Sequence, residues 1–416
     1  MPSEFYDALE TRDPAEREAS LMAALPRIIA AAKERSPAYR RLFAAVQPGD
    51  VVDRRTLAEL PLTRKSELIE LQRQEPPFGG FAAAPMPALR RVFMSPGPIY
   101  EPEGRRPDYW RFARALFAAG FRAGDLVHNS FSYHLTPAGA MVESAAETLG
   151  CTVIPAGVGQ TEQQLRAIAD LRPVGYVGTP SFLKVLLDRA ASEGTDASSL
   201  HKALVGAEGL PSTLRAEFRN RGLNVLQCYG TADLGIIAYE TMRPDGDVCE
   251  GMILDEGIIV ELVLPGTGEP VAPGEVGEVV VTTLTPEYPL IRFATGDLSA
   301  ALPGVSPCGR TNHRIKGWLG RADQTTKVRG MFVHPEQVAD ILRRHKSIIR
   351  ARLVVDRPGS TDEMTLLAEI GEPAEDAARI AETLQAVTKL RGAVTPVPEG
   401  SLPADGKLIE DRRKFN

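Results

Sequence analysis

Between residues 151 and 228, short apolar runs alternate with longer amphipathic runs. Four of the short runs predict strands, at Cys151–Pro155, Gly175–Gly178, Ala203–Val205 and Asn224–Cys228. The longer runs predict helices, because Thr161 and Gln164 have the spacing of a capping box and Thr179-Pro180 is a typical helix start. This alternation is typical of a parallel sheet covered by helices, whose ligands bind beyond the carboxyl ends of the strands.

The flanking segments have different patterns. An N-terminal helix is predicted after Asp13-Pro14, with Pro26 expected to kink or divide it. From Ile258 onward, two β runs separated by turn residues predict an antiparallel or barrel-like unit. A helix, two strands and a further helix follow after residue 320, which predicts a small α+β domain. We therefore expect an α/β protein with domains over residues 1–320 and 321–416.

Composition excludes several classes of function. The chain of 416 residues has 48 Lys and Arg against 54 Asp and Glu, a net charge of −6. This balance argues against a strongly basic nucleic-acid binder and gives no reason to expect docking on an anionic membrane. A bilayer-spanning apolar stretch and a secretory signal pattern are not found, so a cytoplasmic location is expected.

The sequence lacks the common catalytic motifs and leaves one metal-binding alternative open. The sequence contains no Walker-type loop, no nicotinamide-dinucleotide fingerprint and no nucleophile elbow. Its four Cys are scattered and are expected to be reduced. Cys249, Cys308 and His313 could meet as zinc ligands, or the two Cys could be small apolar core residues and the His a loop residue.

Several ordered segments together resemble the adenylate-forming superfamily of acyl-CoA synthetases. They are Tyr229-Gly230-Thr231-Ala232-Asp233, the run from Arg292 to Asp297, GRADQTTKVRG at 320–330 and LPADGKLIEDRR near the C-terminus. HNSFSYHL, LGCTVIPAGVGQTEQQLRAI and GTPSFL resemble the phenylacetate-CoA ligase family within it.

This resemblance implies a large N-terminal domain and a small, mobile C-terminal domain. It also implies two half-reactions. A carboxylate first attacks the α-phosphate of ATP, in the presence of Mg²⁺, to give an acyl-adenylate and pyrophosphate. A thiol, usually that of coenzyme A, then displaces AMP.

The resemblance also implies a nucleotide site. Tyr229 would stack on adenine, Thr231 would contact phosphate and assist catalysis, and Asp233 would hold Mg²⁺ where the family usually has Glu. Asp297 would bind both ribose hydroxyls, and Arg321 would reach the same ribose or the phosphate region. The remaining nucleotide-binding residues would be Ser95 and Gly97 of the phosphate loop, Gly230 of the turn, and Gly206, Ala207 and Glu208 of the adenine-side loop.

Further roles follow from the same resemblance. Lys407 would be the catalytic cation of adenylation, and Asp323 would be the hinge of the small domain. Coenzyme A would approach Lys327 and Gly330. An aromatic wall for an aryl acid would be formed by Phe131, Tyr133 and His134, although simple core packing is an equal alternative for Phe131.

The sequence departs from the family at the phosphate loop. The corresponding stretch, Met94–Gly104, has three Pro and two Glu but no Lys. Proline removes backbone N–H donors, and Glu would repel a triphosphate. Arg105 and Arg106 are candidates to replace the missing cation.

The sequence therefore predicts an ATP-dependent ligase that joins a small, aromatic carboxylic acid to coenzyme A. One alternative is adenylation with transfer to a carrier protein, an amine or an alcohol. Another is a non-catalytic protein that binds a nucleotide or an acyl-adenylate. The identity of the acid is left open, as is the oligomeric state, with a homodimer among the possibilities.

Overall fold

A computed structural model of the chain describes residues 4–322, 326–329, 331–356, 362–371, 376–403 and 407–413. The chain divides into two compact units, Met1–Thr295 with Ala300–Gly317, and Gly296–Ser299 with Trp318–Asn416. Along the described ranges, every helix is too short or too polar to cross a bilayer.

The helices of the first unit are α1 Pro14–Arg35, α2 Pro37–Leu42, α3 Arg54–Ala58, α4 Leu68–Gln74, α5 Ala113–Ala118, α6 Ala138–Thr148, α7 Thr161–Leu171, α8 Pro180–Glu193 and α9 Ser212–Asn220. The strands beginning in this unit are β1 Thr63–Arg64, β2 Arg91–Ser95, β3 Ile99–Glu103, β4 Leu126–Asn129, β5 Thr152–Pro155, β6 Gly175–Gly178, β7 Lys202–Val205, β8 Asn224–Thr231, β9 Gly235–Tyr239, β10 Met252–Leu254, β11 Ile258–Val263, β12 Val276–Thr283, β13 Phe293–Leu302 and β14 Arg314–Ile315.

The second unit contains β15 Gly320–Arg321, β16 Thr326–Val328, β17 Met331–Val333, α10 Pro335–Arg344, β18 Ile348–Asp356, β19 Glu363–Ile370, α11 Ala377–Thr388, β20 Ala393–Val397 and β21 Ile409–Asp411. Its main sheet has the order β20-β19-β18-β21. Strands β18 and β19 are antiparallel, and the two outer strands each pair in parallel. Leu353, Leu366, Ile380 and Leu384 belong to its core, so the predicted α+β unit is present.

The central sheet of the first unit contains the predicted parallel strands. Strands β5, β4, β6, β7 and β8 are neighbours in that order, and each neighbouring pair is parallel. Side chains on β7 alternate, because Leu204 packs in the core on one face while Ala203 and Val205 pack in the core on the other. Both faces are covered, as expected for such a sheet. The predicted α/β class is confirmed.

Antiparallel strands extend the same sheet. Strand β8 pairs with β9, β9 with β10, and β10 with β14. The two β runs after Ile258 form the antiparallel pair β11–β12, with Ile258 opposite Thr283. Because these strands continue the hydrogen-bonded path of the parallel strands, the expected barrel-like unit is part of one mixed sheet.

Two details of the helices differ from the sequence prediction. Helix α1 is continuous across Pro26, with Asp13 accepting hydrogen bonds from the backbone N–H groups of Ala15 and Glu16. The predicted capping box at Thr161 was wrong. Gln160 is the N-cap of α7 and makes no side-chain cap, and the side chain of Gln164 is used in other hydrogen bonds. By contrast, Thr179 caps α8 as predicted.

Candidate active site

The loop after β7 is shaped by a close approach of two strands. A Cβ atom added to Gly206 would lie 2.9 Å from Cys228 Sγ, so only glycine fits without a shift. Ala207 has a φ of +65°, in the left-handed region that non-glycine residues rarely adopt. Glu208 accepts hydrogen bonds from the Ser181 backbone N–H (3.3 Å) and hydroxyl (2.9 Å), which ties this loop to the start of α8.

The turn between β8 and β9 contains several of the residues predicted to bind nucleotide. Tyr229 is buried in the hydrophobic core. A Cβ on Gly230 would lie 2.5 Å from the Gly235 carbonyl oxygen, which explains the glycine in this hairpin. The Leu234 backbone N–H donates to Thr231 Oγ1 over 3.2 Å and closes the turn. Asp233 is thereby placed just beyond the carboxyl end of β8.

Asp233 is paired with a lysine that the sequence analysis did not select. Lys65 Nζ lies 2.5 Å from Asp233 Oδ2, and the Asp233 side chain is 0% exposed. Strand β1 places this lysine, because Thr63 and Arg64 pair in parallel with Phe293 and Ala294. Local periodicity carries no signal for the pairing, since 168 positions separate the two residues.

Two buried polar atoms beside this ion pair are unsatisfied. Within the part of the chain that the structure describes, neither Asp233 Oδ1 nor the Tyr288 hydroxyl has a hydrogen-bond partner. Burial raises the pKa of Tyr288, and the nearby Asp233 and Glu101 charges raise it further. Unpaired buried polar atoms are costly unless a ligand, ion or water satisfies them. Asp233 Oδ1 is therefore a suitable ligand atom for Mg²⁺, which prefers carboxylate oxygens.

The stretch that corresponds to the phosphate loop is a β-hairpin. Ser95 at the end of β2 is opposite Ile99 at the start of β3. The Ser95 hydroxyl and its backbone N–H both donate to the carboxylate of Glu101, the latter over 3.2 Å. Gly97 lies in the turn, where a Cβ would approach Ile99 Cγ1 to 2.9 Å. The donors of Ser95 are therefore directed at a side chain of the protein itself.

Glu101 is buried and has an altered acidity. Glu101 is 0% exposed, and burial raises the pKa of its carboxyl group from 4.5 to about 7. The hydrogen bond from Ser95 and the charge of Lys65 lower this pKa, while the Asp233 charge raises it. Glu103 is equally buried, but its carboxylate pairs with Arg91 at 3.2 Å. The two acidic residues of the hairpin are thus neutralised to different degrees.

The proposed replacement cations lie after the hairpin. Arg106 donates to Thr285 Oγ1 (3.0 Å) and its guanidinium carbon lies 5.0 Å from the centre of the Tyr109 ring. Arg105 is exposed, with a single long contact to the Pro87 carbonyl oxygen (3.5 Å). Within the described ranges, neither arginine forms an ion pair with Glu101. Their role as phosphate ligands stays a prediction.

The loop after β4 contains the predicted acyl-pocket residues. Phe131 is buried and lies beside the adenine-side loop, 3.8 Å from the position of a Gly206 Cβ. The Tyr133 hydroxyl accepts a hydrogen bond from Asn129 Nδ2 over 2.8 Å. His134 is exposed. The structure thus brings Phe131 to the edge of the sheet and leaves His134 facing solvent.

A buried polar network supports this loop and was not found from the sequence. Gln164 Oε1 accepts from the Ser130 hydroxyl (2.8 Å) and lies 2.8 Å from His128 Nε2. Its amide nitrogen donates to the carbonyl oxygens of Gly157 and Gly159. One side chain of α7 therefore fixes two loops at the carboxyl edge of the sheet.

The second unit holds the other predicted residues. Asp297 Oδ1 accepts hydrogen bonds from Trp318 Nε1 and Arg321 NH1, both over 3.1 Å. Asp297 and Arg321 are paired across β13 and β15. Lys407 is exposed and precedes β21.

Three other predicted positions have little structural description. Lys327 lies in β16, but nothing is described of its side chain. The predicted hinge Asp323 and the predicted coenzyme A residue Gly330 lie outside the described residues.

The zinc alternative receives no support from the geometry. Among the described residues, no group of three or more His, Cys, Asp or Glu side chains is arranged to hold a metal ion. Cys249 is buried, and Cys308 Sγ lies 3.1 Å from the Ser306 hydroxyl.

Comparison with known proteins decides the family. The AMP-binding enzyme family matches residues 137–285. The phenylacetate-coenzyme A ligase of Thermus thermophilus is 35% identical over 364 residues, which cover 84% of this chain and 80% of that protein. The Escherichia coli phenylacetate-coenzyme A ligase is 33% identical over 384 residues, covering 88% and 85%. The chain belongs to the phenylacetate-coenzyme A ligase family.

The chain also resembles 2-hydroxyisobutyryl-CoA ligase, solved in the postadenylation state with 2-HIB-AMP, with 25% sequence identity. The match has a TM-score of 0.78 and covers 99% of this chain and 93% of that one. An open conformation of the same ligase, at 24% identity and a TM-score of 0.85, shows the same fold. The resemblance inferred from ordered motifs is confirmed at the level of family and fold.

Proposed function

We propose that this protein is an AMP-forming acid–thiol ligase. It activates a small, aromatic carboxylic acid with ATP and transfers the acyl group to coenzyme A. The observation that carries the proposal is the β8–β9 turn. There a buried carboxylate, Asp233, keeps one unpaired oxygen at the carboxyl edge of the parallel sheet, as far as the structure describes the chain. Relatives over most of the chain are phenylacetate-coenzyme A ligases, which supports the same assignment.

In this proposal the first unit binds the nucleotide phosphates and the acid. Asp233 Oδ1 holds Mg²⁺, which when bound neutralises phosphate charge. Thr231 contacts the α-phosphate, and the loop at Gly206 contacts the adenine side. Phe131 supplies an apolar wall beside that loop, which suits a flat aryl acid.

The second unit supplies the side chains that bind the ribose and the side chain that assists catalysis. Asp297 accepts hydrogen bonds from the ribose hydroxyls, and Arg321 supports it from the paired strand. Lys407 neutralises charge that develops at the α-phosphate during adenylation. Lys327 and Gly330 serve the approach of coenzyme A, and Asp323 is the hinge. The proposed domain boundary lies between residues 320 and 321, so Asp297 belongs to the N-terminal domain in this proposal although it is part of the second compact unit.

A turnover assay tests the function. The protein is incubated with Mg-ATP and a panel of aryl and fatty acids, with and without coenzyme A, and AMP, pyrophosphate and acyl-CoA are measured. An aryl acid that yields all three products supports the proposal. Lys407→Ala should stop pyrophosphate release, whereas Lys346→Ala, an exposed control in the same unit, should not. Pyrophosphate without thioester would indicate a different acceptor.

A second candidate is a protein that binds an acyl-adenylate without forming it from ATP. The observation that favours it is the hairpin, where Glu101 occupies the donors of Ser95. Nucleotide binding without pyrophosphate release for any acid would support this candidate. A homodimer stays a separate prediction, and size-exclusion chromatography with light scattering checks it.

A further inference from the structure

In the hairpin β2–β3, a carboxylate of the protein accepts the hydrogen bonds that a phosphate would need. Glu101 receives both hydrogen bonds that Ser95 donates. A backbone N–H and a serine hydroxyl each carry one donor hydrogen, so donors engaged by Glu101 are not available to a phosphate oxygen. Pro96 and Pro98 in the same turn have no N–H to replace them.

The surrounding structure holds Glu101 in this position. The neighbouring Tyr100 exchanges two backbone hydrogen bonds with the buried Gln72 side chain of α4, at 2.8 and 2.9 Å. On the other strand, the Met94 N–H donates to the Leu135 carbonyl oxygen over 2.8 Å. The hairpin is therefore fastened on both strands.

The charge of Glu101 acts on the proposed metal and phosphate site. Glu101 interacts electrostatically with Asp233 and Lys65, and Tyr288 interacts with both carboxylates. None of the ion pairs in the described part of the chain involves Glu101, while Lys65 is paired with Asp233. When Glu101 is ionised and no metal ion is bound, this cluster has one uncompensated negative charge. An additional anion with several charges would be repelled there more strongly than one with a single phosphate.

We propose that Glu101 is a specificity-determining residue of the nucleotide site. Its carboxylate, held by Ser95, disfavours the β- and γ-phosphates and makes a nucleoside monophosphate group the better ligand. This inference rests on the proposed function, because it assumes that nucleotide phosphates bind beside Asp233. Its consequence is a ligase in which the acyl-adenylate is retained more readily than ATP.

Calorimetric titration of the 416-residue protein tests the proposal. The ligands are ATP, AMP and inorganic pyrophosphate, each with Mg²⁺ and with EDTA. Glu101→Gln removes the charge and keeps a hydrogen-bond acceptor. Glu103→Gln is the matched control, since Glu103 lies on the same strand and is equally buried but is paired with Arg91. Glu101→Ala replaces the amide variant if that variant does not fold.

The proposal predicts that AMP binds the unaltered protein at least as tightly as ATP. Glu101→Gln should then strengthen binding of ATP and pyrophosphate about tenfold or more, with AMP affinity unchanged. An equal effect on ATP and AMP, no effect, or the same effect from Glu103→Gln would overturn it. If neither ATP nor AMP binds to any variant, the proposed function fails. If both bind but Glu101→Gln does not selectively strengthen ATP binding, only the specificity proposal fails.

Discussion

Replacing Glu101 by Gln should change how stability depends on pH. The pKa of Glu101 is raised by burial from 4.5 to about 7. The folded state therefore binds a proton between these two values that the unfolded state has released, and unfolding free energy falls as pH rises through this range. At about 1.4 kcal/mol for each pKa unit, the loss is about 3 kcal/mol and is complete above about pH 7. Gln has no proton to lose, so Glu101→Gln should not show this loss.

Urea unfolding from pH 4.5 to pH 8, in EDTA, measures the effect. The chain has two Trp, at 110 and 318. A Trp318→Phe background leaves Trp110 as the fluorescence reporter, and its ring lies 6.4 Å from that of Phe93 on β2. Glu250→Gln, at an exposed position, controls for the loss of a carboxylate. If unfolding free energy depends on pH in the same way for the background protein and Glu101→Gln, the argument is refuted, because ionising the buried Glu101 would then cost no stability.

Three other substitutions have expected effects. Arg292→Met should lower unfolding free energy by about 3–5 kcal/mol in urea titrations, because it leaves the buried Glu261 carboxylate without its partner at 3.1 Å. Gln164→Ala should cost about 1–3 kcal/mol and raise the KM for the acid, since the His128 ring loses its hydrogen-bond partner and the adjacent loops are released. Lys407→Ala should slow pyrophosphate release by ~10²–10³ while sparing coenzyme A attack on a supplied acyl-adenylate, and equal loss of both rates would contradict that role.

The parallel part of the fold could be predicted because its determinants are local. Strand β6 matches its predicted bounds, Gly175–Gly178, and the helix predicted near Thr161 is present as α7. The error at Gln164 has a physical reason. Its spacing from Thr161 suits a cap, but a buried network with His128 and Ser130 provides better partners than the exposed helix end. Tertiary contacts therefore overrode a local pattern, as they often do for polar side chains.

The proposed site could be inferred from the sequence only where its residues share a motif. Thr231 and Asp233 lie in one turn, so the sequence places them together. Lys65 and Tyr288 come from distant segments, and only the folded sheet brings them to Asp233. Sequence reasoning identified Glu101 as repulsive to a triphosphate. It could not show that Ser95 would donate to that carboxylate, because the hairpin register sets the contact.

The two acidic residues of the hairpin show why composition alone is a poor guide to this site. Glu101 and Glu103 lie on the same face of β3 and are both fully buried. Arg91, opposite Glu103 in the hairpin, neutralises one of them, whereas Glu101 accepts hydrogen bonds from Ser95 and the charge of Asp233 raises its pKa. Treating both glutamates as charges that repel phosphate therefore overstates the repulsion. Treating both as neutralised leaves out the contribution of Glu101. The balance of charge between Glu101, Asp233 and Lys65 is what should govern ATP binding, and single charge-neutralising substitutions in this cluster can measure each contribution.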